Sequence, residues 1–321
     1  MTPESGALAF AVLGRPLVAR RVPARLAAWL RESWDYPGHA AAPSGYAIEL
    51  DVAAAAPSGA PHAWPELDVA VPGRRLRFRS EGSVWETGDE TSGLRLEIGE
   101  GGARIELWGW EAAGDGAARH HALYVALSEA LRASGLVPLH AAVAARGGGS
   151  VAWLGRSGVG KSTTLLHAVT AGWRPVAEDL CWLEPGTLAA YGWDRGVRCW
   201  PETLRRFFPQ LDGAQPTPDG KLLIAYERLG AATPLAATLT RLALLDRVAG
   251  GATRWEAVTP RDSVKALWEA TGVPLASHSR QVTAAAVERL SGLPAARYVL
   301  GDTPPRLAGA IAGEDDQARG G

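Results

Sequence analysis

Asparagine is absent from the 321-residue chain, and lysine occurs only three times, at Lys161, Lys221 and Lys265. The first absence removes N-glycosylation sequons, the guanine-reading Asn-Lys-x-Asp motif of GTPases and the catalytic-loop asparagine of ordinary protein kinases. Cysteine is scarce too. Cys181 and Cys199 are too few for a disulfide framework or a cysteine zinc site, and they read as buried reduced thiols. Neither sign of charge dominates: 33 basic against 34 acidic side chains leave a net charge of -1. That balance gives no long-range attraction to nucleic acid or to an anionic membrane. The longest apolar runs fall far short of the ~20 residues of a membrane span, and no basic region followed by an apolar stretch opens the chain. The expectation is a folded, cytoplasmic protein that engages neither nucleic acid nor membrane.

What is present changes character along the chain. After a short apolar run, Ala7–Leu13, residues 23–34 repeat Leu26, Leu30 and Trp34 at helical spacing. Short alternating segments follow: Tyr46–Val52, Leu67–Val71, Arg75–Arg79, Ser83–Thr87, Leu94–Ile98 and Arg104–Trp108. Turn clusters such as Pro72-Gly73 and Gly114-Asp115-Gly116 punctuate them. They predict a small antiparallel or partly closed sheet. A helix is predicted over 118–134, with His120 and His121 as exposed polar residues at its start. From residue 136 the reading is strand (137–145), glycine hairpin, strand (150–154), glycine loop, helix (161–171) and strand (175–183). That order marks an α/β nucleotide-binding core. A strand over 239–245, helices over 260–271 and 277–290, and a strand over 297–300 complete it. The division is a strand-rich N-terminal domain (1–117), a P-loop domain (118–313) and a disordered tail (314–321).

The sharpest local signal is Gly155-Arg156-Ser157-Gly158-Val159-Gly160-Lys161-Ser162, which fits G-x-x-x-x-G-K-[ST]. Glycines let the backbone wrap an anion and aim N–H groups at it. Lys161 suits the β- and γ-phosphates, Ser162 suits Mg²⁺, and the helix N-terminus adds its positive end. At this composition roughly 0.04 matches are expected by chance before the hydroxyl is required. Lysine is otherwise replaced nearly everywhere by arginine, so its retention inside this loop is informative.

A magnesium site at such a loop also needs a carboxylate at the end of an apolar strand. Val176-Ala177-Glu178-Asp179-Leu180 supplies two. Adjacent carboxylates in an apolar strand are costly unless they bind something. One can hold metal while the other takes a proton from an attacking hydroxyl; the structural alternative is neutralisation by arginine. His140 lies in the strand before the loop and on its own reads as a core histidine.

Taken together, Leu139-His140-Ala141, Gly155–Ser162 and Gly172-Trp173-Arg174-Pro175-Val176-Ala177-Glu178-Asp179 resemble the catalytic core of HPr kinase/phosphorylase, a bacterial P-loop serine kinase family. The resemblance spans about residues 136–185 well and 186–310 loosely. It implies an α/β fold of the HPr-kinase/PEP-carboxykinase-like type with a smaller, strand-rich N-terminal domain. It also implies ATP and Mg²⁺ as cofactors, with the γ-phosphate passing to a serine or similar hydroxyl of a protein or peptide. By the same resemblance the loop residues Gly155, Arg156, Ser157, Gly158, Val159, Gly160, Lys161, Ser162 and Thr163 hold the nucleotide. Ser162 and Asp179 hold the metal, Glu178 is the base, and His140 assists. Arg156, Thr163 and Glu178 stand where the classical enzymes have Asp, Glu and Asp. These departures resemble the broader related set, including kinases of peptide-biosynthesis clusters such as those for lasso peptides. Cys199-Trp200-Pro201-Glu202-Thr203-Leu204 resembles a segment those relatives carry.

Lys221 is a further candidate phosphate ligand, against a solvated lysine in a hairpin turn. Arg241 and Arg247 flank the 242–246 strand within reach of phosphate but read more readily as surface residues, and Lys265 reads as exposed. Classical members of the family are hexamers, and a homo-oligomer is compatible with the resemblance. A small-molecule kinase and a nucleotide-binding regulatory module without phosphotransfer are the alternatives. The lack of a Leu-Ser-Gly-Gly-Gln signature, of which Leu290-Ser291-Gly292-Leu293 is only a partial echo, argues against a transporter-type ATPase.

Overall fold

A computed structural model describes residues 7–35, 44–56, 66–71, 74–88, 91–110, 116–230 and 235–301. The Pro72-Gly73 turn, most of the Gly114–Gly116 cluster and the tail 314–321 lie outside the described residues. The chain forms two compact units, Met1–Leu136 with Pro274–Val282, and Val137–Val273 with Thr283–Gly321.

The first unit holds strands β1 (Leu8–Val12), β2 (Arg15–Arg20), β3 (Ala47–Ala53), β4 (Glu66–Val71), β5 (Arg74–Glu81), β6 (Val84–Gly88), β7 (Gly93–Ile98) and β8 (Gly102–Trp108). They make one eight-stranded sheet in the order β1-β2-β3-β8-β7-β6-β5-β4. The expected small antiparallel sheet is therefore corrected in size and in sense, because β2–β3 and β3–β8 pair in parallel. Strand alternation explains the buried face: Leu94, Leu96 and Ile98 on β7, and Ala103, Ile105 and Leu107 on β8. Helix α1 (Ala24–Trp34) buries the Leu26, Leu30 and Trp34 stripe. Helix α2 (Gly116–Ala133) packs on β7 and β8 through residues that include Leu123, Leu127 and Leu131. This helix groups with the first unit rather than with the domain that follows it. His120 is not a free surface residue; its ring centroid lies 4.9 Å from that of Trp29 and 5.3 Å from that of Trp110.

The second unit opens with β9 (Val137–Leu139), β10 (Ala141–Arg146), β11 (Gly149–Leu154), α3 (Lys161–Thr170), β12 (Arg174–Ala177) and β13 (Cys181–Glu184). It continues with β14 (Ala189–Gly192), β15 (Gly196–Cys199), α4 (Pro201–Phe207), β16 (Gln215–Pro216), β17 (Leu222–Ala225), β18 (Ala236–Thr238), β19 (Arg241–Arg247) and β20 (Arg254–Ala257). Helices α5 (Pro260–Thr271) and α6 (Ser277–Ser291) and strand β21 (Ala295–Leu300) complete the described chain, α6 beginning within the segment that groups with the first unit. A six-stranded sheet has the order β12-β10-β11-β19-β21-β20, a four-stranded one β18-β14-β13-β9, and a three-stranded one β15-β17-β16. The molecule is thus mixed α/β. Among the described residues no helix is long and apolar enough to cross a membrane.

Two predicted strands are each broken in two. The run 137–145 splits at His140 into β9 and β10, and 175–183 splits at Glu178–Leu180 into β12 and β13. Strands β10 and β12 pair in the six-stranded sheet, whereas β9 and β13 pair in the four-stranded one. Both chains therefore change sheets at the same level. Freed from the ladder, backbone donors need other acceptors. The His140 N–H bonds to the Ala270 carbonyl of α5 at 2.8 Å. Those of Glu178, Asp179 and Leu180 all donate to Asp194 Oδ2, at 2.9, 2.8 and 3.1 Å.

Candidate functional site

The changeover delivers three side chains to one place, and the glycine loop 155–160 delivers two more. Strand β11 ends at Leu154, and α3 begins at Lys161 with Gly160 as its N-cap at φ 119°. No side chain caps this helix, so its first N–H groups remain available to an anion. Gly160, at φ 119°, has a backbone conformation that favours glycine, and a side chain at either end of the loop would crowd its neighbours. A Cβ on Gly155 would lie 2.9 Å from Val159 Cγ1, and one on Gly160 would lie 2.7 Å from Leu300 Cδ1.

Lys161 is buried, yet its ammonium is not buried in hydrocarbon. It donates to the Gly155 carbonyl at 2.8 Å and to His140 Nε2 at 2.7 Å, and lies 4.0 Å from Asp179 Oδ1. Burial lowers its pKa while Asp179 and Glu178 oppose that shift. Burial also holds the His140 pKa below its ordinary value, with Asp179 raising it and Lys161 lowering it. A neutral imidazole is the acceptor that a donor-only ammonium needs. His140 Nε2 is also 3.4 Å from Asp179 Oδ1.

The acid pair sits in the break between strands, not inside a strand as the sequence suggested. Ser162 Oγ donates to Glu178 Oε1. The Ser162 hydroxyl thus meets the first carboxylate, and the second lies near Lys161 and His140. Glu178 is 4% exposed, and burial pushes its pKa up to about 7, helped by Asp194 and Asp179 and opposed by Ser162 and Arg198. Asp179 is more open, and no strand ladder claims it.

Two residues that the sequence reading missed hold this arrangement. Asp194, just past β14, gathers three consecutive N–H groups and so fixes the direction of both acids. Arg198, on β15, lies 3.5 Å from Glu178 Oε2 and 3.7 Å from Asp179 Oδ2. The arginine alternative for the acid pair is thus met in part, in the same place as the loop.

Loop, acids and Arg198 line a single cavity of about 280 Å³ within the second unit. Thr163, Lys221 and the exposed Arg247 line it as well. Lys221 pairs with Asp219 at 3.7 Å, and its ammonium lies 5.6 Å from the Trp200 ring centroid. Lys265 does not line the cavity; it is exposed beside Glu269. Arg156 is exposed, and both cysteines are free and buried.

The residues suit a phosphate chain with a hard cation. Four cationic side chains, Lys161, Arg198, Lys221 and Arg247, face a space that also holds a serine hydroxyl on a buried carboxylate. Among the described residues no three His, Cys, Asp or Glu side chains form a self-contained metal cage. Mg²⁺ bound through one or two carboxylates plus phosphate oxygens does not require one. No family model matches the chain, and no curated protein matches it.

Proposed function

We propose that the protein is an HPr-kinase-like phosphotransferase: it takes ATP with Mg²⁺ at a P-loop and moves the γ-phosphoryl group to a serine or similar hydroxyl of a protein or peptide. The observation that carries this reading is the division of labour between neighbouring acids. Glu178 accepts from the Ser162 hydroxyl and Asp179 lies beside Lys161 and His140, and both acids line the cavity of the glycine loop. Holding a nucleotide uses the first carboxylate; the second adds a proton acceptor.

Ser162 and Glu178 would hold Mg²⁺, which when bound shields the phosphates and draws charge from the reacting oxygens. The loop backbone and the uncapped start of α3 bind the phosphate chain. Lys161 is fixed by Gly155 and His140, so its charge is already in place where negative charge develops. Arg198 reduces repulsion between the two carboxylates. The acceptor oxygen bonds to the γ-phosphorus as the bond from that phosphorus to the β,γ-bridging oxygen breaks. ADP leaves with that electron pair, and the hydroxyl proton passes to Asp179.

The test is transfer of label from γ-labelled ATP to an acceptor. Wild-type protein is expected to label one, and Asp179→Asn to bind ATP while labelling none. Tight ATP binding with no acceptor labelled by the wild type would replace the kinase reading with a nucleotide-controlled module.

A further inference from the structure

One wall of the cavity is unused by this chemistry. Trp200 caps the N-terminus of α4, and Thr203 and Phe207 follow at three and seven residues, one face of a helix. All three line the cavity that holds the glycine loop. Trp200 is 53% exposed, more than any other aromatic side chain among the described residues. Exposed apolar surface of that kind inside a cavity indicates a ligand rather than core packing.

The position of α4 says which part of a ligand it meets. Thr163 lies in the first turn of α3, immediately beyond Lys161 and Ser162, and lines the cavity. His167 stands one turn further along the same face of α3, and its ring lies 5.7 Å from Phe207 and 4.6 Å from Phe208. The aromatic wall thus adjoins the flank of α3 that runs away from the Lys161–His140–Asp179 group. A phosphate chain with its γ end at the Lys161–Asp179 group would have that flank for its nucleoside. Arg206 lies over the Phe207 ring at 4.9 Å, which leaves the indole as the more open stacking surface. The Lys221 ammonium lies farther from the indole centroid, at 5.6 Å.

We infer that the Trp200–Phe207 face of α4 is the nucleobase platform of the donor nucleotide, with a purine ring stacked on Trp200 and the Thr203 hydroxyl at its edge. The inference rests on the nucleotide reading above and adds the subsite that distinguishes ATP from a bare phosphate chain.

Titration calorimetry with Mg·ATP and with Mg·tripolyphosphate separates the two claims. Wild-type protein is expected to bind ATP more tightly than tripolyphosphate. Trp200→Ala, at an exposed position, is expected to weaken ATP about tenfold and leave tripolyphosphate unchanged, as loss of a base–aromatic stack does. Trp200→Phe should keep most of the ATP affinity, and Phe207→Ala should lower the ATP preference less than Trp200→Ala. An ATP-to-tripolyphosphate ratio that neither alanine variant changes would overturn the platform while the phosphate site stands. Equal weakening of both ligands by Trp200→Ala would overturn it too. Wild-type protein that binds neither ligand would overturn the nucleotide reading and this inference with it.

Discussion

The two units surround their buried carboxylates with different neighbours. In the first, Glu86 has Arg79 at 3.1 Å. Glu129 has Arg132 at 3.5 Å and accepts from the backbone N–H groups of Leu275 and Ala276 at 2.9 and 2.8 Å. Outside the core, Arg20 pairs with Glu49 and Arg77 with Glu66 across the sheet. Each of these charges has an oppositely charged partner. In the second unit Glu178 is equally buried, but Asp179 and Asp194 crowd it, and Arg198 is shared between two acids. Burial and like charge leave its pKa at about 7. Burial holds both Glu129 and Glu178 above the usual carboxylate range; Arg132 and two backbone N–H groups oppose the shift at Glu129, whereas two further carboxylates add to it at Glu178 and favour a cation there.

The largest effect that sharpens this contrast is at Glu129. Glu129→Ala strands two backbone donors and a buried guanidinium, and is expected to cost about 3–5 kcal/mol in denaturant unfolding. A loss below about 1 kcal/mol would remove the contrast.

Glu178→Gln should do the reverse in Mg²⁺-free buffer. A carboxyl whose folded pKa is raised stabilises the protein fully below its unfolded pKa, and that contribution is lost as pH rises through the folded value. For Glu178 the window runs from the ordinary value of 4.5 to about 7. Relative to wild type, the glutamine variant is expected to gain about 3 kcal/mol between those limits. Unfolding curves at pH 4.5 and pH 8 measure it; a pH-independent difference would contradict the burial of an ionisable Glu178.

Smaller again is the effect of Asp194→Ala, about 1–3 kcal/mol from orphaned backbone donors, with phosphotransfer lost because both acids lose their direction. Asp194→Asn keeps one acceptor oxygen and should keep most of the stability. Hydrogen exchange at the amides of residues 178–180 reports the cause directly.

How far the sequence reached follows from the range of each signal. The loop 155–162 is a local motif, and its glycines and Lys161 could be read directly. Helix α5 was legible end to end because Thr259 and Asp262 form a capping box, Pro260 stands at N1 and Gly272 follows the last turn. The breaks at His140 and at Glu178–Leu180 were not legible. The apolar runs continue across both, and it is a change of sheet, a long-range event, that interrupts them. Asp194 is 16 residues from Glu178 and carries no local mark of its role. Helix α4 was missed although Trp200-Pro201-Glu202 offers a proline at N1 and an acid in the first turn. The pairing of Ser162 with Glu178 depends on how the chain turns at the break, which strand alternation alone does not specify.

The most direct test of the central claim, that the buried charges of the second unit form a triphosphate site, is the Mg·ATP dissociation constant of Lys161→Ala against wild type. Removing a buried ammonium from the proposed phosphate site is expected to weaken binding about 10- to 100-fold with the fold retained by circular dichroism. Unchanged affinity in a folded variant would contradict the assignment.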